Sequence, residues 1–147
     1  MNRELERLTD PLKKNNPAPP GAIAAAEARL GYRFLPDYVE FLEASNGAEG
    51  WLQVSRPDGE PDYYLMLWPI ERVVDLNEIP ELKATSGDLV LFGSDGGTEN
   101  YGFRRSETGS GIVQCPNVRN DASGDIPRGS SFLDFLRDLH ARPGVPL

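Results

Sequence analysis

The chain has 147 residues, 39% hydrophobic and 26% charged, which is the composition of one ordinary globular domain that needs no covalent staples. Its 15 basic and 23 acidic residues give a formal charge of −8, a balance that repels nucleic-acid phosphates and steers a basic partner inward, although acidic surfaces also serve solubility alone. The single Cys115 excludes an internal disulfide and fits a cytoplasmic, reducing setting, and the single His140 leaves a Cys/His zinc site short of ligands.

In chain order, Leu5, Leu8 and Leu12 fall at i, i+3 and i+7, and Pro11 interrupts them, so the spacing predicts a short helix to Leu8 or Thr9. Met1 to Arg7 carries acids and no apolar h-region, so no secretory signal is expected. Lys13 to Pro20 reads as a linker, unfit for a helix or a central strand. The alanine-rich stretch Ala22 to Leu30 predicts a helix with Gly31 at its C-terminal cap. Pro36 opens the next, whose buried stripe is Tyr38, Phe41, Leu42 and Ser45, with Asn46-Gly47 as its stop.

The period then changes. Gly47 to Gly50 reads as a turn, and Trp51 to Val54 as a strand. Arg56 to Asp62 reads as a turn, and Tyr63 to Trp68 as a buried strand too short to span a membrane. Pro69 to Ile79 looks helical, with Pro80 ending it. Leu89 to Phe92 and Tyr101 to Phe103 read as strands around a glycine-containing hairpin loop, Gly93 to Glu99. Gly111 to Cys115 is a further strand, and Pro116 to Gly129 reads as irregular. The last helix is the clearest: Phe132, Phe135, Leu136 and Leu139 form one stripe, and Ser131 with Asp134 is a helix-start signature. Tight loops between consecutive strands imply an antiparallel sheet, and helices at both ends imply an α+β domain.

Two stretches carry a resemblance. The first is Ile23, Glu27 and Leu30-Gly31-Tyr32-Arg33-Phe34-Leu35-Pro36-Asp37-Tyr38-Val39-Glu40-Phe41-Leu42, closed by Asn46-Gly47. The second is Phe92-Gly93-Ser94-Asp95-Gly96-Gly97-Thr98-Glu99-Asn100-Tyr101-Gly102-Phe103. In that order they resemble domains of the SUKH superfamily, which includes a yeast cell-wall assembly regulator and many bacterial immunity proteins. The chain departs from many relatives at Thr98, where they carry a third glycine, and at Arg104, where they carry an acid. The resemblance implies a single α+β domain, an antiparallel sheet flanked by helices, and binding in place of catalysis. It divides the chain into a short helix and Pro/Asn-rich lead-in at 1–18, the SUKH-like domain at 19–142 and a tail at 143–147.

The candidate contact residues are Trp51, Asp58, Glu60, Asp62, Asp95 and Glu99. Tryptophan is enriched at binding hot spots, while Trp68, ending an apolar strand, belongs to the core. Asp58, Glu60 and Asp62 form an acidic turn, ordinarily a solvated loop; as a functional feature they mimic phosphates towards a basic cleft. Asp95 and Glu99 sit in a hairpin loop that lacks both a phosphate-cradle ending and enough oxygens for calcium. No cofactor is expected. Asp134 and Asp138 lie at i and i+4 without a pocket, and Cys115 reads as a buried, inert thiol. The leading expectation is an immunity protein that occludes a cognate toxin, a basic protein domain, with neither nucleic acid nor membrane as partner. The alternatives are an intracellular regulatory or scaffold domain and, least favoured, a hydrolase built on His140.

Overall fold

The computed structural model describes residues 1–52, 63–105 and 111–143. Its elements are α1 (Arg3–Thr9), β1 (Lys13–Lys14), α2 (Ala22–Leu30), α3 (Pro36–Ala44), β2 (Ala48–Leu52), β3 (Tyr63–Leu67), α4 (Ile70–Asn77) and α5 (Pro80–Ser86). They continue with β4 (Leu89–Ser94), β5 (Glu99–Arg104), β6 (Ile112–Pro116), a 3-10 turn (Ala122–Gly124), β7 (Ile126–Gly129) and α6 (Phe132–Ala141). The strands form one seven-stranded sheet in sequence order, and every neighbouring pair is antiparallel. The chain is an α+β domain.

Local chemistry sets the helix ends. The Asn2 side chain accepts from the Glu4 and Leu5 amides at the start of α1, and Ser131 accepts from the Asp134 amide at the start of α6. Gly31 adopts φ 64° to close α2, and Pro36 occupies the first turn of α3.

Three stretches differ from their sequence reading. Pro80 does not end α4, which stops at Asn77; it opens α5. A proline lacks the amide a helix interior needs, yet the first turn has no use for that amide, so Pro80 is placed to open a helix. Pro116 to Gly129 is not wholly irregular, because it holds the 3-10 turn and β7. β7 carries Pro127 and the buried Arg128, so no apolar alternation announces it, and as the sheet's last strand it tolerates the proline. Gly47 to Gly50 is not a turn either, since Ala48 already begins β2. Gly47 marks a close approach: its φ is +92°, and a Cβ there would lie 2.6 Å from the Leu67 carbonyl oxygen.

The core is an aromatic cluster between the middle of the sheet and the helices α3 and α6. Phe92 of β4 stacks on Phe103 of β5 at 4.2 Å. Tyr38 of α3 meets Phe103 edge-on at 4.9 Å and Phe132 of α6 at 5.2 Å, while Phe135 meets Tyr101 at 4.9 Å. All are buried, and each burial contributes roughly 1.5–3 kcal/mol. Residues Arg3–Lys14 belong to the same body, because Leu5, Leu8 and Leu12 are buried in this core and β1 pairs with β2.

Polar side chains complete what the sheet leaves open. β3 and β4 pair only at Met66–Ser94 and Leu67–Gly93. Where they diverge, Asn77 acts as a strand partner: its amide donates to the Leu91 carbonyl and accepts from the Leu91 amide, both at 2.8 Å. Arg119, its side chain 2% exposed, satisfies its five N–H donors with Asp125, Asp88 and the Thr85 carbonyl at 2.7–2.9 Å. It thereby clamps the 117–125 segment to the end of α5. Arg128 donates to Gln114, to Asp138 and to the Arg142 carbonyl, joining β7 and β6 to α6.

Asp125 is 1% exposed at its side chain and accepts two of the five Arg119 hydrogen bonds, the rest going to Asp88 and Thr85. Asp125→Ala is therefore expected to destabilise the chain by about 1–3 kcal/mol in urea unfolding. Among the described residues the buried Tyr38 hydroxyl has no hydrogen-bond partner. Tyr38→Phe is therefore expected to leave the unfolding free energy unchanged or raise it by about 1 kcal/mol. Hydrogen bonds from Arg119 hold the Asp88 carboxyl below its ordinary value, and at Asp138 the burial that would raise it is outweighed by bonds from Arg142 and Arg128. With folded values below unfolded ones, these contributions are complete above about pH 3.9 and vanish as the pH falls through the folded values. Urea midpoints measured from pH 5 down to about pH 2 are expected to fall less steeply in Asp88→Asn than in the parent chain.

Candidate protein-binding face

Residues paired across antiparallel strands project to the same face of a sheet. Trp51 pairs with Tyr64 and Glu49 with Met66. The second row continues from Met66 to Ser94, Asn100 and Cys115. All of them therefore share one face, opposite the Phe92–Phe103 core. At its β4–β6 end the face is closed, with Leu89, Leu91, Val113 and Cys115 buried. At its β2–β3 end it is open: Trp51 is 54% exposed, Glu49 is exposed, and Tyr64 and Met66 are half-buried.

The open end is an ordered platform. The Trp51 and Tyr64 rings meet edge to face, 5.3 Å apart and 77° between planes. The Tyr64 hydroxyl donates to Glu49 Oε2 at 2.5 Å, and this bond to a carboxylate raises the phenol's pKa. The turn between β4 and β5 rests against the same ring. Gly96 adopts φ +79°, and a Cβ on it would lie 3.0 Å from Tyr64 Cδ2.

Asp95 and Glu99 flank that turn, and both are half-buried. Asp95 Oδ1 accepts from the Gly97 amide at 2.8 Å and the Glu99 amide at 3.1 Å, so this carboxylate builds the loop. Glu99 Oε1 accepts from Gln114 Nε2 at 2.9 Å, which makes it the outer end of the chain Glu99–Gln114–Arg128–Asp138. Asn117 ties the loop from the other side, its side chain donating to the Gly97 carbonyl at 2.7 Å. Beside this network the Tyr63 hydroxyl hydrogen-bonds that of Tyr101, and burial pushes the Tyr63 phenol well up.

Of the six residues singled out from sequence, Trp51 lies on this platform and Asp95 in the loop beside it, while Glu99, next to Asn100 on β5, projects to the opposite face of the sheet with Tyr101. Asp58, Glu60 and Asp62 lie outside the described residues. Glu49, Tyr64 and Met66 were missed. Glu49 and Trp51 are two apart on β2, the spacing of one strand face, and that signal was hidden by reading Gly47 to Gly50 as a turn. Tyr64 and Met66 carry no such mark, because Tyr63 to Leu67 is apolar throughout and two-residue alternation does not reveal which half faces water.

The candidate reactive groups have structural duties. His140 Nε2 hydrogen-bonds the Leu8 carbonyl at 3.0 Å, fastening α6 to α1. Cys115 is buried and its thiol is pushed up to about 12 by that burial, far from a reactive thiolate. Asp134 pairs with Arg137, and Asp138 with Arg128 and Arg142. Among the described residues no three His, Cys, Asp or Glu side chains converge to hold a metal ion, and no helix is long and apolar enough to cross a membrane.

No curated protein matches the chain. The family model of the SMI1/KNR4 family (SUKH-1) matches residues 17–138, from the lead-in to α2 through most of α6, and the chain belongs to that family.

Proposed function

We propose that the chain is a non-enzymatic protein-binding domain, and specifically an immunity protein that neutralises a cognate toxin by covering its working surface. Membership of the SUKH-1 family supports the protein-binding part. The observation that carries the reading is the open aromatic–acidic platform on β2 and β3. A tryptophan left 54% in water, braced by a tyrosine that also fixes a carboxylate, is the anchor arrangement of a binding hot spot.

The charge supports the same conclusion. A chain at −8 accelerates its encounter with a basic domain and discourages acidic competitors. In this reading the carboxylates of Asp58, Glu60, Asp62, Asp95 and Glu99 stand in for the phosphates a basic toxin cleft would otherwise hold. The partner is a protein, the setting is cytoplasmic, and binding proceeds without a cofactor. A second reading is an intracellular regulatory or scaffold domain that uses the same face, supported equally by membership of the SUKH-1 family.

Co-expression with the product of the neighbouring gene tests the proposal. That product is expected to be toxic alone and harmless beside this chain. A product that is harmless alone, or that still kills in its presence, overturns the immunity reading. In the purified complex, Trp51→Ala is expected to weaken binding by about 2 kcal/mol, roughly thirtyfold, chiefly through faster dissociation. Reversing Asp58, Glu60 and Asp62 to lysine is expected to slow association and flatten its salt dependence, both read by stopped-flow fluorescence.

A further inference from the structure

We propose that Trp51, Tyr64 and Glu49 form a receptor for one arginine side chain presented by the bound protein. This deepens the protein-binding reading and rests on it.

The platform has the three parts a guanidinium needs. The Trp51 and Tyr64 rings, 77° apart and 5.3 Å between centroids, make two aromatic walls. The Glu49 carboxylate stands beside them, held through Oε2 by the Tyr64 hydroxyl. Among the described residues that is its one hydrogen bond, and Oε1 remains open to a ligand. A guanidinium is planar and weakly hydrated, so it lies against an aromatic face while its N–H fork reaches a carboxylate. The chain uses this stacking elsewhere, where the Arg72 guanidinium sits 5.9 Å from the Trp68 ring.

Other occupants fit less well. A purely apolar side chain on Trp51 would strip water from Glu49 and return no partner for its charge. A lysine ammonium is compact and strongly hydrated, and it gains less from the aromatic walls. A phosphate meets the carboxylate and the overall charge of −8. Among the described residues, the two lysines of β1 do not fill the place. Lys13 lies opposite Glu49 in the β1–β2 register without forming an ion pair to it, and Lys14 Nζ is bound to the Thr9 carbonyl at 2.8 Å. Lys13 is exposed and would repel an incoming guanidinium, so the receptor should improve when it is removed.

The test uses the full chain, 15N-labelled, titrated with capped hexa-arginine, hexa-lysine and hexa-citrulline peptides while the two indole N–H signals are followed. Trp51→Phe assigns them. Hexa-arginine is expected to move the Trp51 indole and leave that of Trp68 in place. Hexa-lysine is expected to bind at least about threefold more weakly, and hexa-citrulline, which keeps the shape without the charge, not to bind. Glu49→Gln should weaken the arginine peptide at least about threefold, and Lys13→Ala should tighten it, with unchanged thermal midpoints in both exposed-site variants. An unmoved Trp51 indole, equal arginine and lysine affinities, or full affinity in Glu49→Gln overturns the receptor. Should the neighbouring gene's product bind Glu49→Gln and Trp51→Ala as tightly as the parent chain, the receptor falls and protein binding stands. Should the peptide pattern hold while that product fails to bind, the receptor stands and the immunity reading falls.

Discussion

The stack of Phe92 on Phe103 is the contact around which the rest of the domain is arranged. It fastens β4 to β5 at the middle of the sheet, and Tyr38, Phe132 and Phe135 converge on it from α3 and α6. A meander of seven strands in sequence order has no crossover to lock it, so its helices must be held by packing against one face. Large flat rings suit that task, because each buries much area while losing few rotatable bonds. The bulge in β4 between Leu91 and Gly93 belongs to the same device: it displaces Phe92 from the regular register with β5.

Where packing cannot reach, side chains supply what the backbone lacks. Asn77 completes the ladder beside Leu91, Arg119 holds the 117–125 segment on α5, and Arg128 ties the last strand to the last helix. Each is nearly fully satisfied, the condition under which a buried charge is tolerable. Arg119 and Arg128 are spent inside on the carboxylates of Asp88, Asp125 and Asp138, so these pairs hold the fold together and leave the charge balance of the exterior to the other residues.

The family match begins at residue 17, yet the chain before it is part of the folded body. β1 covers part of the β2 edge, and α1 joins α6 through the Glu4–Arg137 ion pair and the His140–Leu8 bond. The consequence for function is local. By pairing Lys13 with Glu49, the N-terminal segment fixes the edge of the platform and sets a positive charge next to its carboxylate. A domain of this family without such a segment would present the same strand with a bare edge, open to pairing with another chain.

The sequence by itself determined the helices that announce their own ends, such as the Ser131 cap of α6, the Gly31 close of α2 and the Pro36 start of α3. It also determined the antiparallel hairpins, the acidic balance and the two motifs that place the chain among SUKH domains. These are local signals, carried by residues within one turn or one strand of each other. Tertiary structure alone decided that β7 exists, that Pro80 opens a helix, and that Glu99 and Asp95 spend their oxygens on the loop and the buried network. It alone decided that Tyr64 and Met66, in an unbroken apolar run, face water beside Trp51 and Glu49. A two-residue period divides a strand into two sides, but which side is covered depends on where distant helices come to rest.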